Sequence, residues 1–93
     1  MTPEVRDNPE ASRYEVVAGD RVLGYADYRI HGDVVIFPHT VVAPEMRGQG
    51  LGEVLVQGAL DDVRASGRRV VASCWFVAEF IDARTQYQDL LAG

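Results

Sequence analysis

The stretch HTVVAPEMRGQGLGEVLVQGALDDV (residues 39–63) decides the fold of this chain. An apolar run ends at Val42, a turn follows over Ala43 and Pro44, and the glycine-rich segment 47–52 leads into a helix. A strand, glycine-rich turn and helix start in this order direct several backbone N–H groups toward one point at the positive end of the helix dipole. Glycine also lets a ligand approach the main chain closely. The stretch therefore predicts a phosphate-binding site.

Two common phosphate-binding motifs are excluded by the residues present. A P-loop requires a lysine after its last glycine, and the chain contains no lysine. A dinucleotide fingerprint would need a third glycine where Glu53 stands, and its fold needs a longer βαβ series than 93 residues hold. What remains is Arg47-x-x-Gly50-x-Gly52. The alternative interpretation is a glycine-rich turn that only lets a helix pack closely on a sheet.

Composition and charge narrow the class of protein. Ninety-three residues with 47 % apolar content predict one globular domain, and no apolar run is long enough to cross a membrane. The absence of a signal-peptide pattern and the single cysteine, Cys74, indicate a reducing compartment, so we expect a cytoplasmic protein. A net charge of −5 argues against a nucleic-acid partner, and two isolated histidines with one cysteine make no metal site.

Three strands are predicted before the glycine-rich turn. Residues 1–11 lack periodicity and are interpreted as a loose leader. Strand-like runs then cover residues 13–18, 21–30 and 34–42, with short turns between them, which predicts an antiparallel meander. Pro38 cannot donate to a strand ladder, so a bulge or an edge position is expected there.

The second half of the chain predicts a crossover unit. Apolar residues at helical spacing indicate a helix over about 49–66, ended by Gly67. A short strand at 70–73 follows, and a right-handed crossover makes it parallel to the third strand. A second, shorter helix is expected from Trp75 to about Ala83, and residues 85–91 are typical of a helical turn.

These elements and motifs resemble a known family. The resemblance is to a subgroup of very small single-domain proteins of the GNAT superfamily of N-acetyltransferases, and it covers the whole chain. It implies a minimal α/β (α+β) fold with a three-stranded antiparallel meander, a crossover helix, a parallel fourth strand and a short helix. It also implies acetyl-CoA or coenzyme A as the cofactor. The matching features are His39-Thr40 on the third strand, Arg47-Gly48-x-Gly50-x-Gly52 at the helix start, and Cys74 after the last strand.

The resemblance also implies roles for individual residues. The backbone of Val41 and Val42 would pair with the pantetheine arm, residues 47–52 would hold the pyrophosphate, and Phe76 and Phe80 would cover the pantetheine or thioester end. Other GNAT enzymes often place a tyrosine on the second helix as a general acid, whereas phenylalanine cannot donate a proton. The implied cofactor-binding residues are Thr40, Val41, Val42, Arg47, Gly48, Gln49, Gly50, Leu51, Gly52, Phe76 and Phe80.

Two residues are candidates for the chemistry. Histidine exchanges a proton near neutral pH, so His39 is a candidate base for the acceptor amine; its alternative role is a strand residue satisfied by a backbone carbonyl or by Thr40. Cys74 either accepts the acetyl group covalently, with His39 or a helix N-terminus activating its thiol, or lines the pocket as a small apolar residue. Direct transfer in a ternary complex, the common GNAT route, needs no cysteine.

The resulting hypothesis is an acetyl-CoA-dependent N-acetyltransferase that acts on an amine, with the amine of a protein or peptide as one candidate. The expected partners are coenzyme A and this amine, with no membrane partner, and the expected state is a monomer or weak dimer. One alternative is a coenzyme A-binding sensor or adaptor without efficient transfer. The other is an interaction protein that has lost its ligand, which three retained glycines argue against.

Overall fold

The computed structural model describes residues 2–92, which form seven strands, three α-helices and two short 3-10 turns. The 3-10 turns cover Pro9–Ala11 and Pro44–Met46. The strands are β1 (Glu4–Asn8), β2 (Arg13–Ala18), β3 (Arg21–Asp27), β4 (Arg29–His31), β5 (Val34–Phe37), β6 (Thr40–Val42) and β7 (Arg69–Ala72), and the helices are α1 (Leu51–Ser66), α2 (Trp75–Asp82) and α3 (Thr85–Gln88).

The strands form two sheets, and the strands from the middle of the chain are divided between them: β3 and β6 belong to one, β4 and β5 to the other. One has the order β1-β2-β3-β6 and is antiparallel throughout. The other has the order β4-β5-β7, with β4 antiparallel to β5 and β7 parallel to it. The meander, the crossover helix, the parallel strand and the short helix confirm the mixed α+β fold predicted from the sequence.

The expectation of a loose leader over residues 1–11 is wrong for its middle part. Residues 4–8 form β1, which pairs with β2 in the register Val5↔Val16. Val5 packs against the core, and a Cβ added to Gly58 of α1 would lie 2.6 Å from the Val5 side chain. One inward apolar residue is too little to produce a visible periodicity, so the strand escapes a pattern-based prediction.

The predicted second and third strands are each divided by a short break. Tyr28 separates β3 from β4, and Pro38 with His39 separates β5 from β6. The first half of the third strand therefore pairs with β4 and β7, while its second half pairs with β3. Because proline has no N–H to donate, the ladder is interrupted at Pro38, as expected.

Helix α1 holds the core together. Its buried face includes Leu55, Val56 and Leu60, each at most 1 % exposed, and it packs across β1, β2 and β3. Gly67 ends the helix in the left-handed conformation, with φ of 78°. No helix in the described part of the chain is long and apolar enough to cross a membrane.

Candidate functional site

A cleft opens where the two parallel strands diverge. The ladder between β5 and β7 ends with a hydrogen bond from the Cys74 N–H to the Phe37 carbonyl at 2.8 Å. Beyond this bond the segment after β5 bends toward β3 and forms β6, and the segment after β7 turns into α2. The cavity between them measures ≈ 820 Å³ and is lined by Pro38, His39, Thr40, Val41, Val42, Met46, Arg47, Gly48, Gly50, Leu51, Gly52, Glu53, Ser73, Cys74, Trp75 and Phe76.

Within residues 2–92, the edge of β6 that faces this cleft has no strand partner. Hydrogen bonds join the Asp27 N–H to the His39 carbonyl (3.1 Å) and the Ala43 N–H to the Leu23 carbonyl (2.8 Å). In an antiparallel ladder such pairs alternate with unbonded pairs, so the polar groups of Val41 also face β3. The N–H and C=O groups of Thr40 and Val42 therefore point toward the opening. Of the two residues expected to offer backbone groups there, Val42 does so and Val41 does not.

The loop before α1 presents a row of backbone donors to the same cleft. Residues 48–53 contain no proline and so carry six N–H groups, and none of the six finds an acceptor within residues 2–92. Gly48 and Gly50 have φ of 83° and 73°, a region that favours glycine. A Cβ on Gly48 would meet nothing within 4 Å. The arrangement suits an anion at a helix N-terminus.

Gly52 has a different reason for being glycine. A Cβ at this position would lie 2.8 Å from the ring of Phe76 on α2. The residue therefore allows α1 and α2 to approach each other. The alternative interpretation of the motif expected close packing of a helix on a sheet, whereas the close contact at Gly52 is with a second helix.

Cys74 closes the inner end of the cleft. It is only 8 % exposed, and its Sγ donates to Thr40 Oγ1 at 3.7 Å, across the gap between the diverging strands. Within residues 2–92, the thiol makes no hydrogen bond to His39. The thiol is thus a buried wall residue with a neutral hydroxyl as its neighbour.

His39 lies at the same level of the cleft but on the other face of the sheet. Successive side chains of an extended segment alternate, so His39 and Thr40 point in opposite directions. The His39 Nε2 atom lies 2.5 Å from Asp27 Oδ2, with the histidine side chain 57 % exposed and the carboxylate 31 % exposed. A carboxylate at Nε2 favours the proton on that nitrogen, which leaves Nδ1 free to accept one. Asp27 was not singled out by the sequence, since only strand register brings it opposite His39.

The comparisons with known proteins identify the family. The model of the GCN5-related N-acetyl-transferase family matches residues 13–90. The chain belongs to the GNAT family. No curated protein sequence matches it significantly.

Two solved structures resemble this GNAT chain. A GCN5-like protein from Staphylococcus aureus, solved by NMR, is 24 % identical, with a TM-score of 0.73 over 97 % of this chain and 88 % of its own, a likeness that concerns the fold. A GNAT-family protein from Desulfovibrio desulfuricans is 28 % identical, with a TM-score of 0.56 over 64 % of this chain and 41 % of its own. This chain therefore spans less than half the length of the second protein.

Two residues expected at the cofactor lie elsewhere in this GNAT fold. Gln49 is exposed and does not line the cleft. Phe80 is 4 % exposed, and its ring lies between the Arg84 guanidinium carbon, 3.8 Å from its centroid, and the Tyr87 ring at 5.6 Å. Phe76 reaches the cleft because it lies on the first turn of α2, whereas Phe80 lies one turn further into the core.

Tyr87 does not replace the tyrosine that other GNAT enzymes use. It is buried, and its hydroxyl donates to Asp61 Oδ1 at 2.7 Å. Burial and this hydrogen bond raise the pKa of Tyr87. No tyrosine lines the GNAT cleft within the described residues.

Trp75 is a cleft residue that sequence reasoning missed. It begins α2, is 71 % exposed and packs edge-on against Phe76 with ring centroids 5.9 Å apart. Large exposed aromatic residues are uncommon away from binding surfaces. A tryptophan directly after the cleft cysteine was the available signal.

Proposed function

We propose that this chain is an acetyl-CoA-dependent N-acetyltransferase that transfers an acetyl group to an amine. The observation that carries the proposal is the set of backbone N–H groups of residues 48 and 50–53, which line the cleft beside the open edge of β6 and have no acceptor within residues 2–92. The first feature suits a pyrophosphate and the second suits a chain of amides. Both line one cleft of ≈ 820 Å³, a volume in the range of cofactor sites.

The residues present fit coenzyme A in three places. Residues 48–53 would hold the pyrophosphate, and Arg47, which lies at the rim without an ion-pair partner in the described chain, would add a charge-assisted bond. The outward groups of Thr40 and Val42 would bond the pantetheine amides in the manner of an added strand. Trp75 and Phe76 would cover the arm from the α2 side.

The chemistry supplied by the coenzyme is an activated thioester, and the chain's own residues manage protons and orientation. His39 Nδ1 would take a proton from the acceptor amine as the amine nitrogen bonds to the acetyl carbon. The carbon–sulfur bond would break, and the coenzyme would leave as its thiolate. Asp27 would orient the ring through Nε2. Cys74 is buried, and its thiol donates to the neutral Thr40 hydroxyl. We therefore assign Cys74 a lining role and propose direct transfer of the acetyl group to the amine.

One observation favours the rival function, a coenzyme A-binding sensor or adaptor. Among the described residues, no tyrosine lines the cleft to protonate the departing thiolate. Binding with transfer no faster than the uncatalysed reaction would support this rival.

The experiment that tests the proposal is calorimetric titration of acetyl-CoA and of CoA into wild type and two matched variants. Gly48→Asp and Gly19→Asp both place a carboxylate at a positive-φ glycine with open space around it, at φ of 83° and 62°. Only Gly48 lines the cleft. We expect Gly48→Asp to weaken binding by roughly tenfold or more, and Gly19→Asp to leave it unchanged.

Two outcomes separate the readings. Absence of binding by folded wild type would refute both the enzyme and the sensor. If binding holds, thiol release from acetyl-CoA with a panel of amines, compared between wild type and His39→Gln, decides whether transfer occurs.

A further inference from the structure

A second cavity shares two lining residues with the cofactor cleft. It measures ≈ 590 Å³ and is walled by the turn Pro9–Ala11, the end of β3 and the start of β4. Pro38 and His39 line both cavities, so the histidine borders each of them. A group in the second cavity can therefore reach the imidazole without entering the cleft through the coenzyme's opening.

Hydrogen bonds from main-chain N–H groups hold the turn Pro9–Ala11 that walls this cavity. Asn8 Oδ1 accepts the Ala11 N–H at 3.4 Å, and the Ser12 N–H donates to the Pro9 carbonyl at 3.1 Å. The Ser12 carbonyl in turn accepts the Tyr28 N–H at 2.9 Å, which ties the turn to the sheet. Ser12 is the one non-glycine residue with positive φ among residues 2–92, at 52°. The cavity is therefore formed before any ligand binds.

The charges around this cavity form a complementary pair. Asp27 and Arg29 both line it and, two positions apart along an extended segment, project to the same face. Asp27 is engaged with His39, whereas the Arg29 guanidinium has no hydrogen-bond or ion-pair partner within residues 2–92. An unpaired guanidinium at a formed pocket suits a carboxylate.

We infer that this cavity is the acceptor site and that its ligand is an amino acid with a free carboxylate. The inference rests on the proposed function and names the substrate class of the same reaction. Arg29 would hold the carboxylate, and the amine would lie at the Asp27–His39 pair, where Nδ1 can take its proton. Pro9, Ala11 and Ile30, the last 49 % exposed, offer apolar contacts to the side chain. A lysine side chain of a protein would leave Arg29 unpaired.

The test is an NMR titration of ¹⁵N-labelled full-length chain, saturated with CoA, with leucine and with leucinamide. The two probes share the side chain and the α-amine, and leucine carries a carboxylate where leucinamide carries a neutral amide. We expect saturable shifts at the Ser12 and Ile30 amides, with leucine binding roughly tenfold or more tighter than leucinamide. Arg29→Gln should abolish this preference, and Arg68→Gln, an arginine that lines neither cavity, should retain it.

Other outcomes overturn the inference without touching the proposed function. Equal affinity for the two probes, a preference for leucinamide, or no shifts at the solubility limit of leucine would each refute it. Acetylation of leucinamide or of a lysine peptide but not of leucine would leave the transferase standing with a different acceptor. Leucine binding without acetyl transfer would refute the transferase and, with it, the assignment of this cavity as an acceptor site.

Discussion

Glu53 is the acidic residue at the coenzyme cleft, and it lies in the first turn of α1 beside the row of N–H donors. When no anion is bound at the loop 48–53, this carboxylate interacts favourably with the helix dipole. It would repel a pyrophosphate bound there. We expect Glu53→Gln to tighten CoA binding by roughly two- to fivefold at low salt. Calorimetry at two ionic strengths checks this, because screening should shrink the gain. Glu4→Gln, on β1, is the control. Unchanged or weaker CoA binding by Glu53→Gln would contradict a pyrophosphate site at the loop 48–53.

The Asp27–His39 pair makes a second prediction at this scale. His39→Gln should lower kcat by roughly a hundredfold or more, since a positioned base contributes on that order. Asp27→Asn should lower kcat less, about tenfold, because it only releases the ring from its orientation. Neither change touches the loop 48–53 that we propose for the pyrophosphate, so CoA affinity should be unchanged in both variants. Steady-state kinetics beside calorimetry measures the two effects, and full kcat in Asp27→Asn would exclude the positioning role.

At the scale of elements, the contact between β1 and α1 decides how the N-terminal strand is held. Alanine is ordinarily about 1 kcal/mol better than glycine inside a helix. At Gly58 a Cβ would lie 2.6 Å from Val5, so Gly58→Ala should instead destabilise the chain by about 1–3 kcal/mol. Urea unfolding followed by circular dichroism measures the loss. In a Val5→Gly background, which removes the Val5 Cβ as well as its methyl groups, the same substitution should be nearly neutral or stabilising. A persistent loss there would show that the strain lies elsewhere.

For the molecule as a whole, hydrogen bonds between tyrosines and aspartates join distant parts of the chain. Tyr14 donates to Asp62 and Tyr28 to Asp7, both at 2.7 Å. Burial and the bond to Asp7 raise the pKa of Tyr28 from 10 to about 12. The stabilisation by this tyrosine is therefore complete below pH 10 and is lost as the pH rises toward 12, because only the unfolded chain ionises in that window.

Tyr28→Phe tests this linkage. The variant should be less stable than wild type by about 1 kcal/mol at pH 8, and the difference should close as the pH approaches 12. Urea unfolding at a series of pH values measures both chains. A difference that stays constant across this range would mean that the Tyr28 hydroxyl does not ionise with unfolding as described.

The crossover unit and the glycine-rich loop that leads into α1 were determined by the sequence itself. Helix α1, its end at Gly67, the parallel β7 and the break at Pro38 all follow from signals within a few residues of one another. Glycines at 48 and 50 mark the loop for the same reason. Periodicity, helix ends and turn residues are local properties of the chain, so a sequence read alone can recover them.

Only the tertiary structure decided which distant residues meet. Asp27 reaches His39 through strand register, Phe80 turns into the core, and Val41 gives its backbone to β3. Glu15, by alternation a surface residue, is 1 % exposed because Arg6, Asn8 and Arg13 converge on its carboxylate. Such contacts depend on register and packing between segments far apart in the chain, and no spacing within one segment encodes them.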